Sequence, residues 1–462
     1  MKRARRVIAP IIGYPRSPMT VSGAVLRQSR FLTFDGAVSV VTAHQRPDRF
    51  RQLEADLGEA KRIARGGGLS YAAASFGEDV VVQEMTAFDR LLAFDEKKST
   101  LRVEAGATLE RVLEWALPRK LRLAVVPGYP RITIGGCIAA DAHGKNPARD
   151  GTFCDAVVSF RLFHPSRGYR EVTRESDSDA FDATCGGFGL TGVIVDATLR
   201  LERAPAPNVR TVAREVASFG DAAQALAEMP DADFAYSWHD GTARAAHFGR
   251  GLVFTGAWSE EPVARRDSGY EAMSASSRGA WPFALWGDAT ARTANALFRS
   301  LALGHPSRVQ SAFDADFPFA RQTLYHRLYG RQGLAELQLL VPHEALRAFL
   351  AGLAARVERI GPPLVMLSMK RFSGRMRALS LSGEGMLVAM DLARGQATMR
   401  FAEAVDDLAI ETGAQPNVSK DSRLPADVAA RALPHYRSFR ERLARVDPKR
   451  LFQSELSRRL AL

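Results

Sequence analysis

Two glycine-rich stretches in the first third of the chain constrain its fold more than any other feature. The first is Arg65-Gly66-Gly67-Gly68-Leu69-Ser70-Tyr71. The second runs from Pro127-Gly128 through Thr133, Gly135-Gly136 and Ala140 to His143-Gly144-Lys145-Asn146 and Gly151-Thr152. Glycine lets the backbone approach a ligand closely and permits positive φ. Clustered N–H groups on such turns form concave anion sites. Two such regions imply a ligand with more than one phosphate, gripped from two sides.

The length of 462 residues predicts two or three domains. A hydrophobic fraction of 46% is ordinary for a globular protein, so a core can form without staples. The three cysteines, Cys137, Cys154 and Cys185, have no zinc-site spacing and cannot frame a disulfide scaffold. Their scarcity predicts a reducing, cytoplasmic compartment. Net charge is +12, from 63 Lys and Arg against 51 Asp and Glu. A basic balance admits nucleic acid, an anionic membrane surface or a phosphorylated substrate. The arginines are dispersed and no nucleic-acid signature is present, so nucleic acid is not expected as a partner. Met1-Lys2-Arg3-Ala4-Arg5-Arg6 is basic, and the apolar stretch Val7 to Ile12 is interrupted by Pro10 and too short for a signal peptide. It reads as a frayed tail or as a patch touching anionic lipid. No uninterrupted apolar run reaches membrane-spanning length.

Short strands and helices alternate along the first part. Strands are predicted at Val38–Thr42, Arg62–Ala64, Val80–Val82, Leu101–Ala105, Leu121–Val126 and Val193–Leu201. Val157–Phe163 and Tyr169–Val172 read as a hairpin. A helix is predicted from Pro47 through Leu57, another after the cap Thr108, and a third near Gly135, which would aim its first N–H groups at a phosphate. Pro205 and Pro207 mark a linker. Beyond it, strands are predicted near Ala235–Trp238, Leu252–Phe254, Ala335–Val341, Leu364–Ser368 and Leu387–Ala393. Helices are predicted at Ala289–Leu303, Glu344–Ile360, from Leu408 onward, and at Ala426–Leu443. The pattern is α+β rather than a repeating βαβ wheel.

Gly187-Phe188-Gly189-Leu190-Thr191-Gly192 satisfies G-x-G-x-x-G literally. A dinucleotide fingerprint needs a strand before it and a helix after it. Here a helix-like stretch precedes and a strand-like stretch follows, so a Rossmann site is rejected.

The order and spacing of the glycine stretches resemble the FAD-binding half of vanillyl-alcohol-oxidase-type (PCMH-type) flavoproteins. Within that superfamily the chain is most similar to the decaprenylphosphoryl-ribose 2′-oxidase family. Ala183-Thr184-Cys185-Gly186-Gly187-Phe188-Gly189-Leu190-Thr191-Gly192 matches that family's A-T-x-G-G-x-G-L-T-G signature. Similar words continue through Lys370-Arg371-Phe372 and Lys420-Asp421-Ser422-Arg423-Leu424. The likeness covers about residues 30–462.

The resemblance implies a two-domain α+β flavoprotein. Residues 1–203 would form a PCMH-type FAD-binding domain and 204–404 a substrate domain on an antiparallel sheet. Residues 405–462 would return to the FAD domain. FAD contacts would come from Arg65 to Tyr71, from the second glycine region including Asn146, Gly151 and Thr152, and from Gly187, Gly189, Gly192 and Val193. Leu69 stands where many members carry a flavin-linked histidine, which implies non-covalent FAD. Lys420 and His143 are the catalytic candidates. Lys420 could polarise the hydroxyl, stabilise charge on reduced flavin, or take the proton. Lys145, Gln338, Lys370 and Ala389 are the substrate candidates, with Ala389 where many members have a reactive cysteine. Glu336 and Leu337 depart from the family pattern. No metal is expected.

The activity so implied is oxidation of the 2-hydroxyl of a polyprenylphosphoryl ribose to a keto sugar. A separate NAD(P)H-dependent reductase would complete epimerisation to arabinose, at the inner face of the membrane. The alternatives are oxidation of a small soluble polyol or aldonolactone, and a flavin-binding partner protein without turnover.

Overall fold

The computed structural model describes residues 19–21, 24–55, 57–229, 232–263, 281, 283–318 and 323–462. The basic run Met1–Arg6 and the stretch Val7–Ile12 lie outside the described residues.

Strands β1 (Met19–Val21), β2 (Ala24–Leu32), β3 (Ser39–Gln45), β4 (Lys61–Arg65) and β5 (Val80–Glu84) form one sheet in the order β1-β2-β3-β5-β4. β5 runs parallel to both β3 and β4. The chain continues with β6 (Leu91–Asp95), β7 (Thr100–Glu104), β8 (Leu121–Arg122), β9 (Val157–His164), β10 (Gly168–Thr173), β11 (Val193–Arg200) and β12 (Glu202–Arg203). Five of these make an antiparallel sheet, β10-β9-β11-β7-β6, and β8 pairs β12. The helices Leu109–Ala116 and Ile134–Ala140 close that sheet's core, burying Leu109, Val112, Leu113, Ile134 and Ile138 against Val103, Phe160 and Leu199. Thr108 caps the first by accepting from the Arg111 N–H.

An eight-stranded antiparallel sheet follows. It contains β13 (Asn208–Val216), β14 (Phe234–Asp240), β15 (Gly251–Ser259), β16 (Ser307–Ser311), β17 (Leu334–Pro342), β18 (Leu364–Gly374), β19 (Gly383–Ala393) and β20 (Gln415–Pro416). The order is β16-β13-β15-β14-β18-β19-β17-β20. Alternation puts Leu337, Leu339, Val388 and Met390 into a core with the helices Phe219–Ala227, Leu346–Ile360 and Gln396–Thr412. The opposite face of β17, β18 and β19 carries Glu336, Gln338, Ser368, Lys370, Ala389 and Asp391 to a cavity. After β20 the chain packs on the first sheet. Leu424, Val428, Phe439 and Leu456 bury against Ile63, Phe76 and Val80.

Several elements differ from expectation. The helix from Pro47 is one turn, Phe50–Leu53, and the strand from Leu121 is two residues long. The helix placed at Leu408 begins at Gln396, because Thr398, Phe401 and Ala402 extend its buried stripe. The stretch Ala426–Leu443 is two helices, Ala426–Ala432 and Tyr436–Val446. Leu433 precedes Pro434 and is extended (φ −99°, ψ 115°), as a residue before proline must be to avoid its ring. Sequence reading missed β2, β13 and β16, whose arginines and serines dilute the strand alternation.

Candidate active site

A cavity of about 460 Å³ lies between the glycine loops and the eight-stranded sheet. Its first wall is main chain. β4 delivers Arg65 to the cavity, and Gly66, Gly67, Gly68, Leu69, Ser70 and Tyr71 continue the wall. Gly68 has φ +69°, and a Cβ on Gly67 would sit 2.7 Å from the Arg131 carbonyl oxygen. A Cβ on Gly66 would strike Thr133, so the two glycine regions abut each other directly. From the second region Pro127, Gly128, Thr133, Gly135, Gly136, Ala140, His143, Gly144 and Lys145 reach the wall, as do Gly189 and Gly192.

The helix Ile134–Ala140 does not aim free N–H groups at a ligand, contrary to expectation. Ile134 N–H donates to the Ala107 carbonyl at 2.8 Å and Gly135 N–H to that of Ala105 at 2.8 Å. Gly136 N–H donates to Thr133 Oγ1 at 3.2 Å, and Cys137 N–H to the Thr133 carbonyl at 2.9 Å. Gly135 and Gly136 therefore serve the cavity by lacking side chains. Positive charge comes instead from Arg65. Its guanidinium lies 5.0 Å from the Phe31 ring centre and 5.7 Å from that of Phe76, and donates to Ser75 Oγ at 2.8 Å. Burial pulls its pKa down to about 10, which still leaves a cation at neutral pH.

The second wall is made of side chains. The segment after β20 is tied to β17. Asn417 N–H donates to the Gln338 carbonyl at 2.7 Å, and Asn417 Nδ2 to Gln338 Oε1 at 2.5 Å. That turn presents Lys420, whose Nζ lies 3.1 Å from Glu336 Oε2 and 4.9 Å from the Tyr71 ring centre. Lys420 thus bridges the first glycine loop and the sheet. Glu336 is the register partner of Asp391 on β19, and Gln338 that of Ala389. Tyr325 O–H donates to Asp391 Oδ2 at 2.6 Å, and Tyr329 O–H to the Tyr325 oxygen at 2.9 Å. His143 Nε2 lies 3.3 Å from Gln338 Oε1 and its Nδ1 3.3 Å from the Gly144 carbonyl. A neutral ring has one N–H and can satisfy only one of these acceptors at a time.

Burial sets the charges here. Burial first, then the nearby Lys370 cation, push His143 down to about 3, so its ring is neutral. Burial, then Lys145 and Lys420, push Lys370 down to about 7; its Nζ is 3.5 Å from the Gly144 carbonyl. Burial lowers Lys145 and raises Asp316, and each charge partly counters the shift of the other. Asp391 is raised by burial and then by Glu336, against the hydrogen bond from Tyr325.

Five expected cofactor contacts do not reach the cavity wall. Asn146 turns its Nδ2 to the Ala232 carbonyl. Gly151 (φ +72°) turns the chain into Thr152, which caps Phe153–Ala156 and accepts from Arg377 at 2.8 Å. Gly187 packs against the Ala183 carbonyl, and Val193 is wholly buried in the core. Sequence reading did not single out Tyr325, His326, Asp391 or Asn417, all in the wall. Nor did it find Arg377, which is buried and bonds Asp141 Oδ2 at 3.0 Å and Asp155 Oδ1 at 2.6 Å. Arg377 follows β18, and its partners flank the second glycine region. Among the described residues no cluster of His, Cys, Asp and Glu could hold a metal ion.

Residues 55–171 match the family described as "FAD binding domain". The chain is 28% identical over 417 residues to decaprenylphosphoryl-beta-D-ribose oxidase of Mycolicibacterium smegmatis, covering 87% of this chain and 89% of that protein. It is 29% identical over 373 residues to an uncharacterized protein in the mprA 5′ region of Streptomyces coelicolor, covering 77% of this chain and all of that one. It is 30% identical over 149 residues to L-galactono-1,4-lactone dehydrogenase 1 of Oryza sativa subsp. japonica, covering 32% of this chain and 25% of that protein. The chain is an FAD-linked oxidoreductase resembling decaprenylphosphoryl-ribose oxidase, and FAD is its cofactor. The residues present fit that group. The side-chain-free wall at Gly66 to Gly68, Gly135 and Gly136 leaves the space a dinucleotide needs, with the Arg65 cation beside it.

Proposed function

We propose that this protein oxidises a secondary alcohol of a sugar, using FAD held without a covalent bond. The observation that carries the reading is the convergence of Lys420, Glu336, Gln338, His143 and Lys370 on the cavity that the glycine loops open into. Leu69 offers the flavin no nucleophile, and Cys137, Cys154 and Cys185 are buried outside the wall. Acid precipitation of the purified protein should leave the yellow chromophore in solution.

When bound, FAD supplies a two-electron hydride acceptor. The protein's own groups would position the alcohol and manage its charge. Gln338 and His143 would hold sugar hydroxyls. Lys420, braced by Glu336 and Tyr71, would stabilise negative charge as the hydroxyl loses its proton. Lys370 and Lys145 would meet an anionic substituent. The cavity wall and residues 405–462 together suggest a division at about 1–203, 204–404 and 405–462, with the last part closing over the first.

The finer reading is oxidation of the 2-hydroxyl of a polyprenylphosphoryl ribose to the keto sugar, as the first half of epimerisation to arabinose. A separate NAD(P)H-dependent keto-sugar reductase would complete it. Support comes from the breadth of the likeness to the ribose oxidase, 87% of the chain against 32% for the lactone dehydrogenase. Leu324 is 59% exposed beside Tyr325 and His326 of the wall, which suits approach to a lipid-borne substrate at a membrane face. Among the described residues no helix is long and apolar enough to cross a membrane. A second reading, oxidation of a small polyol or aldonolactone, is favoured by the carboxylates Glu336 and Asp391, which repel a phosphate at that end of the cavity. Anaerobic mixing decides. Bleaching of the flavin by polyprenylphosphoryl ribose but not by free polyols or lactones supports the first reading. The converse supports the second. Bleaching by neither overturns both. Lys420→Ala should slow it by about 100- to 1,000-fold.

A further inference from the structure

Glu336 and Asp391 face each other across β17 and β19 on the cavity side of the sheet. Directly opposed residues hold their Cβ atoms roughly 5 Å apart, and like charges there are destabilising. In a buried wall the cost rises, because two carboxylates sharing a site cannot both ionise freely. Such a pair persists when it shares a proton or is met by cations and donors. Here Lys420 meets Glu336 at 3.1 Å and Tyr325 donates to Asp391 at 2.6 Å. Among the described residues, Lys370 from β18 and Tyr329 beyond Tyr325 also face the pair.

We infer that Glu336 and Asp391 form the carboxylate pair that takes the hydroxyl proton of the substrate, with Lys420 as their counter-ion. The inference rests on the alcohol-oxidation reading and deepens it. Lys420 already turns its Nζ to Glu336 Oε2 at 3.1 Å. His143 is a poor acceptor, since burial and Lys370 disfavour its protonation. Lys370, pushed down to about 7, points its Nζ at the Gly144 carbonyl 3.5 Å away, which leaves Glu336 as the carboxylate that Lys420 holds in the wall. In the reaction the substrate O–H bond breaks and its proton passes to the Glu336 carboxylate. The C–H bond on the same carbon would break with its electron pair, leaving as hydride to the two-electron acceptor that bound FAD would supply, and the C=O bond would form. The proton then adds to a pair whose electrostatics favour holding one. Burial and the neighbouring Glu336 already raise Asp391 above its ordinary value.

The test is anaerobic flavin bleaching by the substrate across pH, using the FAD-loaded full chain. A base must be deprotonated to act. The wild-type rate is expected to fall along a limb as acid protonates the pair. Glu336→Gln should lower the plateau by about 100-fold or more and remove the limb. Glu336→Asp should restore the limb. Asp391→Asn should lower the plateau less than Glu336→Gln does and move the limb to lower pH, by removing the repulsion. A limb that survives in Glu336→Gln, or is unmoved in Asp391→Asn, overturns the inference. A merely positioning Glu336 would change the rate and leave the limb.

A substrate-free readout keeps the inference testable should a variant fold poorly. A protonated-carboxyl infrared band of the wild type should titrate above the ordinary range and be lost in Asp391→Asn. Absence of the band overturns the pair. Failure of every sugar to bleach the wild type, with the band present, overturns the alcohol-oxidation reading instead.

Discussion

The two walls of the cavity solve the same problem by opposite means. The glycine wall works through what it lacks. Gly66, Gly67, Gly135 and Gly136 bring main chain close because a Cβ at any of them would meet a neighbour. The sheet wall works through what it carries: Lys420, Glu336, Gln338, Lys370 and Asp391, held by cross-strand register and by the turn at Asn417. The first wall is local in sequence and the second is assembled from strands far apart. A glycine wall tolerates almost no substitution, whereas a sheet wall can exchange side chains without moving the cofactor cradle. That separation is the physical basis for one cradle serving many substrates.

The sharpest way to break the comparison is to unfasten the walls from each other. Arg377 is the rivet. Its guanidinium is fully buried, bonded to Asp141 and Asp155 beside the second glycine region and lying 3.6 Å from Asp182. Removing it takes the cation from the fully buried Asp141 carboxylate, a defect worth about 3–5 kcal/mol, while Asp155 keeps Arg375 at 3.3 Å. Arg377→Ala should therefore show a large loss of unfolding free energy in denaturant titration, together with weaker flavin retention. A variant as stable as wild type would mean that the walls are joined elsewhere.

Next in size is a change on the glycine side. A methyl group at Gly67 would lie 2.7 Å from the Arg131 carbonyl oxygen, a backbone atom with little room to yield. Gly67→Ala should raise the Kd for FAD about 30-fold, roughly 2 kcal/mol. Thermal unfolding of the flavin-free protein should also come earlier, since the clash lies within the protein, but by less than flavin binding loses. Equal loss in both measurements would show that the loop is structural before it is a binding surface.

The contrast also explains what the sequence could disclose. Arg65 to Tyr71 and Pro127 to Lys145 were legible because runs of glycine with a fixed order have few other uses. Lys420 was legible through the Lys-Asp-Ser-Arg-Leu word. Asp391 and Tyr325 were not, because one carboxylate in a strand and one tyrosine in a short helix carry no local pattern. Only register brings Asp391 opposite Glu336. Arg377 was hidden among many arginines, and nothing in the chain says which one is buried. Conversely, Asn146, Gly151, Thr152, Gly187 and Val193 belong to well-formed glycine-rich words yet serve turns, caps and core rather than the cavity wall. The helix Ile134–Ala140 has its expected position, but Ala105, Ala107 and Thr133 already take its first N–H groups, a tertiary fact no motif encodes.

The smallest expected effect sharpens the comparison from the sheet side. Ala389 is 9% exposed, in the wall, with Gln338 opposite it on β17 and Ser368 opposite it on β18. Its methyl group faces the cavity, and neither of its register neighbours belongs to a glycine region. Two extra methyls at this position take room from the substrate alone. Overpacking of this kind costs about 1–3 kcal/mol where neighbours cannot yield, and less at an open cavity. Ala389→Val should raise KM for the alcohol about tenfold, some 1.4 kcal/mol, while the Kd for FAD stays within twofold. Both constants can be read on one preparation, the first by substrate titration and the second by flavin fluorescence. If FAD affinity fell in step with substrate affinity, the two walls would be one surface, and the division of labour between backbone and side chains would fail at its most sensitive point.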